Sequence, residues 1–488
     1  MALTTDREAG NEPRQSAARL SSEIKRRREL AGLSQPQLAS LIGYTRQYVS
    51  HAERNKNLPS AELIHALETA LNAGGELFKL WREAKADQVS RRDPGDGGEG
   101  FPDLVAEPVD SVASDRARYL LTPPGRYFAG TSTPVVVAPA VLDDGRVITT
   151  SLGALREESL GTPRRSMLLA SIKTPDGNQY YGLDRRRARA RLTAANPGSP
   201  LLFPPAYLLD DFTLAIMWAV TNLDDALLDD DVYLADATAR LNSLEGQARS
   251  AVGRDSAADL SPVSTMWLGS DVCARHILHH ASRLAGPPRF WAREQRGEEA
   301  CTWLLFTHKY NYLLATADMD TDAEPVRAFC IPQDAVAASG RRERILLLLT
   351  AALIESMGIR IAICVEPEYT ATPGFVLDRG RRAVVATWVN TDQIWHVDIT
   401  DRKPVLTEFS DTVGWASTHS IIRMATPPQR LCALADYLSL DWTWLVERAR
   451  DIANYGGGGL VPPRSRLLSL AGLERACRFL ADVGRASQ

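Results

Sequence analysis

Between residues 20 and 85, apolar positions recur at helical spacing in short blocks broken by glycine, proline and small polar residues. Leu20, Ile24 and Leu30 mark the first block, Leu20–Ala31, and Gly32 closes it. Ser34 is a good N-cap, Pro36 sits early in the next helix, and Gln37 occupies the capping-box position. That second helix runs to about Ile42, with Leu38, Ala39, Leu41 and Ile42 as its apolar contacts. Gly43 permits a tight turn, and Thr45 caps a third helix reaching about Asn55, with Val49 and Ala52 inward. Pro59-Ser60 opens a fourth helix, Ala61–Leu71. A fifth is expected over Glu76–Lys85, with Leu77, Leu80 and Trp81 on one face for packing or dimer contact.

The pattern changes after residue 85. Glycine, proline and acids dominate residues 86–112, which reads as a flexible linker. Short β-type runs follow at Pro134–Val141, Arg146–Thr150, Met167–Ile172 and Gln179–Leu183. Asp143-Asp144-Gly145 and Pro175-Asp176-Gly177-Asn178 are hairpin turns between them. Residues 206–250 and 261–316 read as helical, 341–357 as a strongly apolar helix, and Arg360–Val365 as a buried strand. Phe375–Asp378 and Ala383–Trp388 pair around Arg379-Gly380, Gln393–Ile399 adds a strand, and 427–453 and 464–484 return to helix. The expected fold is an all-α bundle over 14–86, a flexible linker over 87–116, and a large mixed α/β (α+β) body over 117–488. Within that body, 117–205 is β-rich, 206–335 helical, 336–400 α/β and 401–488 helical.

Composition narrows the class. The 488 residues are 44% hydrophobic and 24% charged, with a net charge of -4, which excludes a mostly disordered chain or a collagen-like repeat. No apolar run is long enough to span a bilayer, and the polar N-terminus lacks an apolar signal core, so a cytoplasmic location without membrane contact is expected. Six cysteines without a CxxC pair are expected to be free thiols. Charge is uneven: residues 14–85 carry 12 Lys+Arg against 7 Asp+Glu, so the acidic excess lies elsewhere. A basic module on an acidic body suits nucleic-acid binding.

Two short helices, a glycine turn and a polar-faced second helix make a helix-turn-helix pattern. The string Gly32-Leu33-Ser34-Gln35, Leu38-Ala39, Ile42-Gly43, then Thr45-Arg46, Val49-Ser50, Glu53-Arg54 and Pro59-Ser60 closely resembles the phage-repressor-type (XRE) helix-turn-helix family. Asn55 departs from the family's usual glycine, a mild change because asparagine tolerates a left-handed backbone. The resemblance implies double-stranded DNA as partner, a homodimer or higher homo-oligomer, and a nucleoid location. It places Gln35 on a phosphate and against the next helix. It sets Arg46, Gln47, Ser50 and His51 in the major groove, and Tyr48, Arg54 and Lys56 near the DNA backbone, with Thr45 at the helix start. Glu53 is expected to make a structural pair.

The body offers weaker signals. Cys273, His276 and His280 share a helical face at a spacing that suits a metal, with Cys301 and His308 as further donors. Met266, Trp267, Ile277 and Leu278 favour ordinary packing there, so no metal or cofactor is expected. The acids of Arg293-Glu294-Gln295-Arg296-Gly297-Glu298-Glu299 read as a charged helix start rather than catalytic carboxylates. Arg185-Arg186-Arg187 reads as a solvated helix face. Trp388, Trp395, Trp415, Trp442 and Trp444 are expected in the core, with a small-molecule pocket or an interface as the alternative. Gly358–Asn390 faintly resembles the core of phospholipase-D-like domains, without their His-x-Lys pair. The leading expectation is a DNA-binding transcription regulator, not an enzyme, whose body senses a ligand or protein partner or oligomerises. The alternative is an enzyme or effector, phosphoester- or nucleotide-directed or inactive and phospholipase-D-like, using its helix-turn-helix for DNA docking or autoregulation.

Overall fold

The computed structural model describes residues 12–42, 44, 46–54, 59, 61–71, scattered positions over 73–84, then 118–149, 165–175, 177–194, 200–241, 244, 246–281, 288–317 and 325–486. The chain divides into two compact units, Met1–Glu99 and Gly100–Gln488. The segment read as a linker, 87–116, lies outside the described residues.

The first unit contains α1 (Glu12–Leu30), α2 (Gln35–Ile42), α3 (Arg46–Glu53) and α4 (Ala61–Ala70). α1 begins at Glu12 rather than Leu20. Pro13 suits a helix's first turn, and neither glycine nor proline interrupts the chain again before Gly32. The capping box forms at α2: Ser34 N–H donates to Gln37 Oε1 at 2.9 Å, and Gln37 N–H approaches Ser34 Oγ at 3.4 Å. Leu20, Ile24, Leu38, Val49, Ile64, Leu67, Leu77 and Trp81 share one core. Leu77 and Trp81 therefore face inward, and the Trp81 indole donates to the Pro59 carbonyl at 2.7 Å.

The second unit opens with β1 (Arg118–Thr122), β2 (Thr131–Asp143), β3 (Arg146–Thr149), β4 (Met167–Thr174), β5 (Gly177–Asp184), α5 (Arg185–Ala194) and β6 (Leu202–Phe203). The strands form one sheet in the order β5-β4-β2-β3-β6, with β1 also on β2. Only β2 and β4 run parallel among these pairs. Asp143 pairs with Arg146 across a two-residue turn. Its central residues Asp144 and Gly145 have φ of 44° and 72°, the left-handed geometry that matches strand twist. In α5, Arg186, Arg187 and Arg189 are exposed while Arg185 is buried.

Next come α6 (Asp211–Asp229), α7 (Asp231–Leu241), β7 (Ser250–Gly253), α8 (Pro262–Ala281), β8 (Arg289–Ala292), α9 (Gly297–Leu305) and α10 (Thr307–Ala317). They are followed by β9 (Val326–Cys330), α11 (Gln333–Ala337), α12 (Arg341–Glu355), β10 (Arg360–Cys364), β11 (Phe375–Asp378), β12 (Arg382–Thr387) and β13 (Gln393–Thr400). The chain closes with α13 (Lys403–Thr418), α14 (Pro427–Tyr437), α15 (Trp442–Tyr455) and α16 (Ala471–Ala486). Residues 206–335, read as helical, thus also hold β7, β8 and β9. A second sheet runs β10-β9-β8-β11-β12-β13-β7, parallel at β10-β9-β8 and antiparallel beyond.

Strand alternation gives this sheet two apolar faces. Trp291, Ala328, Cys330, Ala362, Cys364, Phe375 and Leu377 pack under α13 through Leu406, Phe409 and Val413. Phe290, Phe329, Ile361, Ile363, Val376 and Val384 join the opposite core, which extends from Leu120 to Val483. α12 lies within that core against α6, α9, α14 and α16. Ion pairs join its distant parts. Arg165 meets Asp224 at 2.7 Å, and Arg448 meets Asp210 at 2.6 Å. The body is one compact unit.

Candidate nucleic-acid interface

The helix-turn-helix geometry depends on a polar knot beneath the third helix. The Glu53 carboxylate accepts from Arg28 Nη2 on α1 at 3.1 Å and from Gln35 Nε2 on α2 at 2.8 Å. Arg28 Nη1 also donates to the Leu33 carbonyl at 2.8 Å. Three helices therefore converge on one carboxylate whose side chain is 3% exposed. Glu53 is a structural anchor, and the Gln35 amide buttresses α3. Arg28 was not singled out, although it continues the inward Leu20–Ile24 stripe by one more helical step.

The outer side of α3 is polar. Val49 and Ala52 are buried, whereas Arg46 and Tyr48 are exposed and Ser50 and His51 are half-buried. The Tyr48 ring meets Tyr44 edge-on, with centroids 5.8 Å apart. Arg54 is exposed just beyond the helix end. Gln47 belongs to α3, but its side chain, like Thr45 and Lys56, lies outside the described residues. The described face offers a guanidinium, a phenol, a hydroxyl and an imidazole on a helix of a width that a major groove admits.

Residues 24–77 match the helix-turn-helix family. The match begins at the Ile24 that packs α1 and ends at the buried Leu77. It covers the knot and the whole of α3. A helix-turn-helix of this kind points to a DNA-binding regulator. No curated protein and no solved structure matches the chain. The phospholipase-D-like resemblance of Gly358–Asn390 thus gains no relative, although β10, β11 and β12 lie where that reading put strands. No described helix is long and apolar enough to cross a membrane.

In the body, the candidate metal ligands lie on α8, α9 and α10. Cys273 is buried at a cavity wall, while the His276 and His280 rings meet 4.7 Å apart. Burial pushes the His276 pKa down to about 4. His308 Nε2 lies 2.8 Å from Ser270 Oγ, and the Cys301 thiol donates to the Glu298 carbonyl at 3.2 Å. Among the described residues, no group of three His, Cys, Asp or Glu side chains is placed to hold a metal ion. Of the singled-out tryptophans, Trp395 is fully buried and donates to Ser250 Oγ at 3.1 Å. Trp388 is half-buried at the same cavity, and Trp415 stacks on His419 at the surface.

The acidic run at 294–299 leads into α9, with Glu298 and Glu299 in that helix's first turn. Glu294, Glu298 and Glu299 are buried, and donors remote in sequence surround them. Glu294 pairs with Lys309 at 2.7 Å, and Glu299 pairs with Arg126 at 3.0 Å. Glu298 accepts the backbone N–H groups of Arg126 and Tyr127 at 2.7 and 2.6 Å. Gly125 permits this approach: a Cβ there would sit 1.4 Å from Glu298 Oε1.

Burial outweighs these hydrogen bonds and pushes the Glu298 pKa up from 4.5 to about 7. The folded state thus retains a proton that the unfolded state has released between these values. Glu298's contribution is fully present below about pH 4.5 and is lost as pH rises through about 7. His276 titrates in the opposite sense, so the effect is read as a difference between proteins. Glu298→Gln should gain on wild type in melting temperature by a few degrees between pH 5 and 7.5, whatever offset it carries at pH 5. A constant offset across that range would show that Glu298 is ionised throughout.

Proposed function

We propose that this chain is a sequence-specific DNA-binding transcription regulator of the nucleoid. It acts as a homodimer, and its body adjusts the spacing of two recognition helices when it binds a ligand or partner. The helix-turn-helix match over residues 24–77 carries this reading. α3 enters the major groove. Arg46 pairs with guanine and Gln47 with adenine, while Ser50 and His51 contact neighbouring base edges. Tyr48, Arg54 and Lys56 meet phosphates and fix the register, with Thr45 and Gln35 at the two helix starts beside them. Pairing follows from affinity, because a single module of this size holds too little surface for a unique site.

The test is the salt dependence of DNA binding by the full chain. Tyr48, Arg54 and Lys56 in two modules give about six phosphate contacts, of which the four cationic ones release counterions most directly. Affinity should therefore fall at least about 100-fold between 50 and 200 mM salt. An affinity indifferent to salt would remove DNA as the partner.

A further inference from the structure

The body contains a cavity of about 50 Å³ between α8, α9, α10 and the face of the second sheet that carries Phe290 and Val376. Its charge is unbalanced. Arg293, Lys309 and Arg327 line it, against the single carboxylate of Glu294. Lys309 is satisfied: its ammonium donates to Glu294 at 2.7 Å and to Thr302 Oγ1 at 2.9 Å, and lies 3.7 Å from the Trp303 ring centroid.

Arg327 is not balanced in this way. It is 3% exposed, and no carboxylate among the described residues pairs with it. Nε has no hydrogen-bond partner, and Nη2 reaches only the Tyr312 hydroxyl at 3.5 Å. The guanidinium instead lies against rings, 4.3 Å from the Phe290 centroid and 4.9 Å from that of Trp303. Cation–π contacts offset part of the loss of hydration but supply no counter-charge. A planar donor fork left open in an aromatic-walled cavity is matched by a planar oxyanion with an apolar remainder.

We propose that this cavity binds a small carboxylic acid, with its carboxylate on Arg327 and its short apolar part against Phe290, Val376 and Trp388. The volume admits a group of a few heavy atoms, so the ligand is an acid of two to four carbons or the carboxylate end of a longer one. Arg293 and Trp388, the half-buried members of the lining, form its solvent side. This names the ligand class for the sensing body, and its regulatory consequence rests on the regulator reading above. Binding is therefore measured on the full chain without DNA, so that either idea can fail alone.

The experiment is a thermal-shift series confirmed by calorimetry. Propionate, butyrate, inorganic phosphate and neutral propionamide are compared at matched ionic strength with wild type, Arg327→Met and Arg327→Lys. Propionate or butyrate should raise the wild-type melting temperature, and propionamide should not. Arg327→Met should lose the response by at least tenfold in affinity. It should also melt no lower than wild type without ligand, because it removes an unbalanced buried charge and retains much of the volume. Arg327→Lys should retain a weakened response. No carboxylate response in wild type, a response confined to phosphate, or equal responses in wild type and Arg327→Met would each overturn the proposal. A melting temperature much reduced in Arg327→Met and normal in Arg327→Lys would likewise assign Arg327 to structure alone.

Discussion

Glu355→Gln is expected to destabilise the body by about 3–5 kcal/mol, the usual effect of breaking one side of a buried ion pair. Arg430 meets Glu355 through two parallel hydrogen bonds, Nε to Oε1 at 2.7 Å and Nη2 to Oε2 at 2.6 Å. Each side chain is 2% exposed. Arg430 Nη1 also donates to the carbonyls of Met424 and Ala425, and Glu355 Oε1 accepts Ile361 N–H at 3.1 Å. The pair thus fixes the end of α12, the start of β10 and the entry to α14 together. Glutamine retains an acceptor but leaves the Arg430 charge buried without its counter-charge. Denaturant unfolding of the full chain should show the loss. The double variant Glu355→Leu, Arg430→Met should recover much of it, since both charges then disappear. A single-variant loss below about 1 kcal/mol would place the pair in contact with water.

Arg46→Ala is expected to lower specific DNA affinity by about 2–6 kcal/mol, roughly 30-fold or more. This follows from about 1–3 kcal/mol for each base contact, counted once in each half-site of a dimer. Arg46 is exposed and lies outside the first unit's core, so the fold should be unchanged. Affinity for random-sequence DNA should fall much less, because the phosphate contacts remain. Arg54→Ala should do the reverse, weakening all sequences alike and making the salt dependence shallower. Competitive binding to operator and random duplexes separates the two behaviours. Equal operator affinity for Arg46→Ala and wild type would remove Arg46 from base reading.

The helix-turn-helix was legible because its signals are local. Ser34 and Gln37 form a cap within four residues, Gly32 ends a helix, and the apolar spacing needs no distant partner. The β2–β3 hairpin was legible for the same reason, since Asp144-Gly145 fixes its own turn. β8 and β9 were not. Each is four or five residues long in an apolar surrounding, where a short run cannot be distinguished from helix by periodicity. Their pairing also joins segments far apart: Phe290 lies beside Arg327, and Arg327 beside Ile361.

With β9 unread, Arg327 gave no sign of facing the large core while its neighbours Val326 and Ala328 face α13. Glu298 and Glu299 were legible as a helix start but not as buried charges, because their partners, residues 126 and 127, are remote in sequence. Buried charge is a tertiary property. A single sequence shows it only after the strands that bury it have been placed.

Reading of DNA by α3 is tested most directly by genome-wide chromatin immunoprecipitation of the full chain in its native host, beside an Arg46→Ala, Gln47→Ala control expressed at the same level. A small set of sharp peaks sharing a palindrome, absent from the control, is the expected result. The half-sites should lie about one helical turn, or a multiple of it, apart. Absence of peaks, or peaks unchanged in the control, would contradict base reading by α3 and leave the first unit a role in protein contact alone.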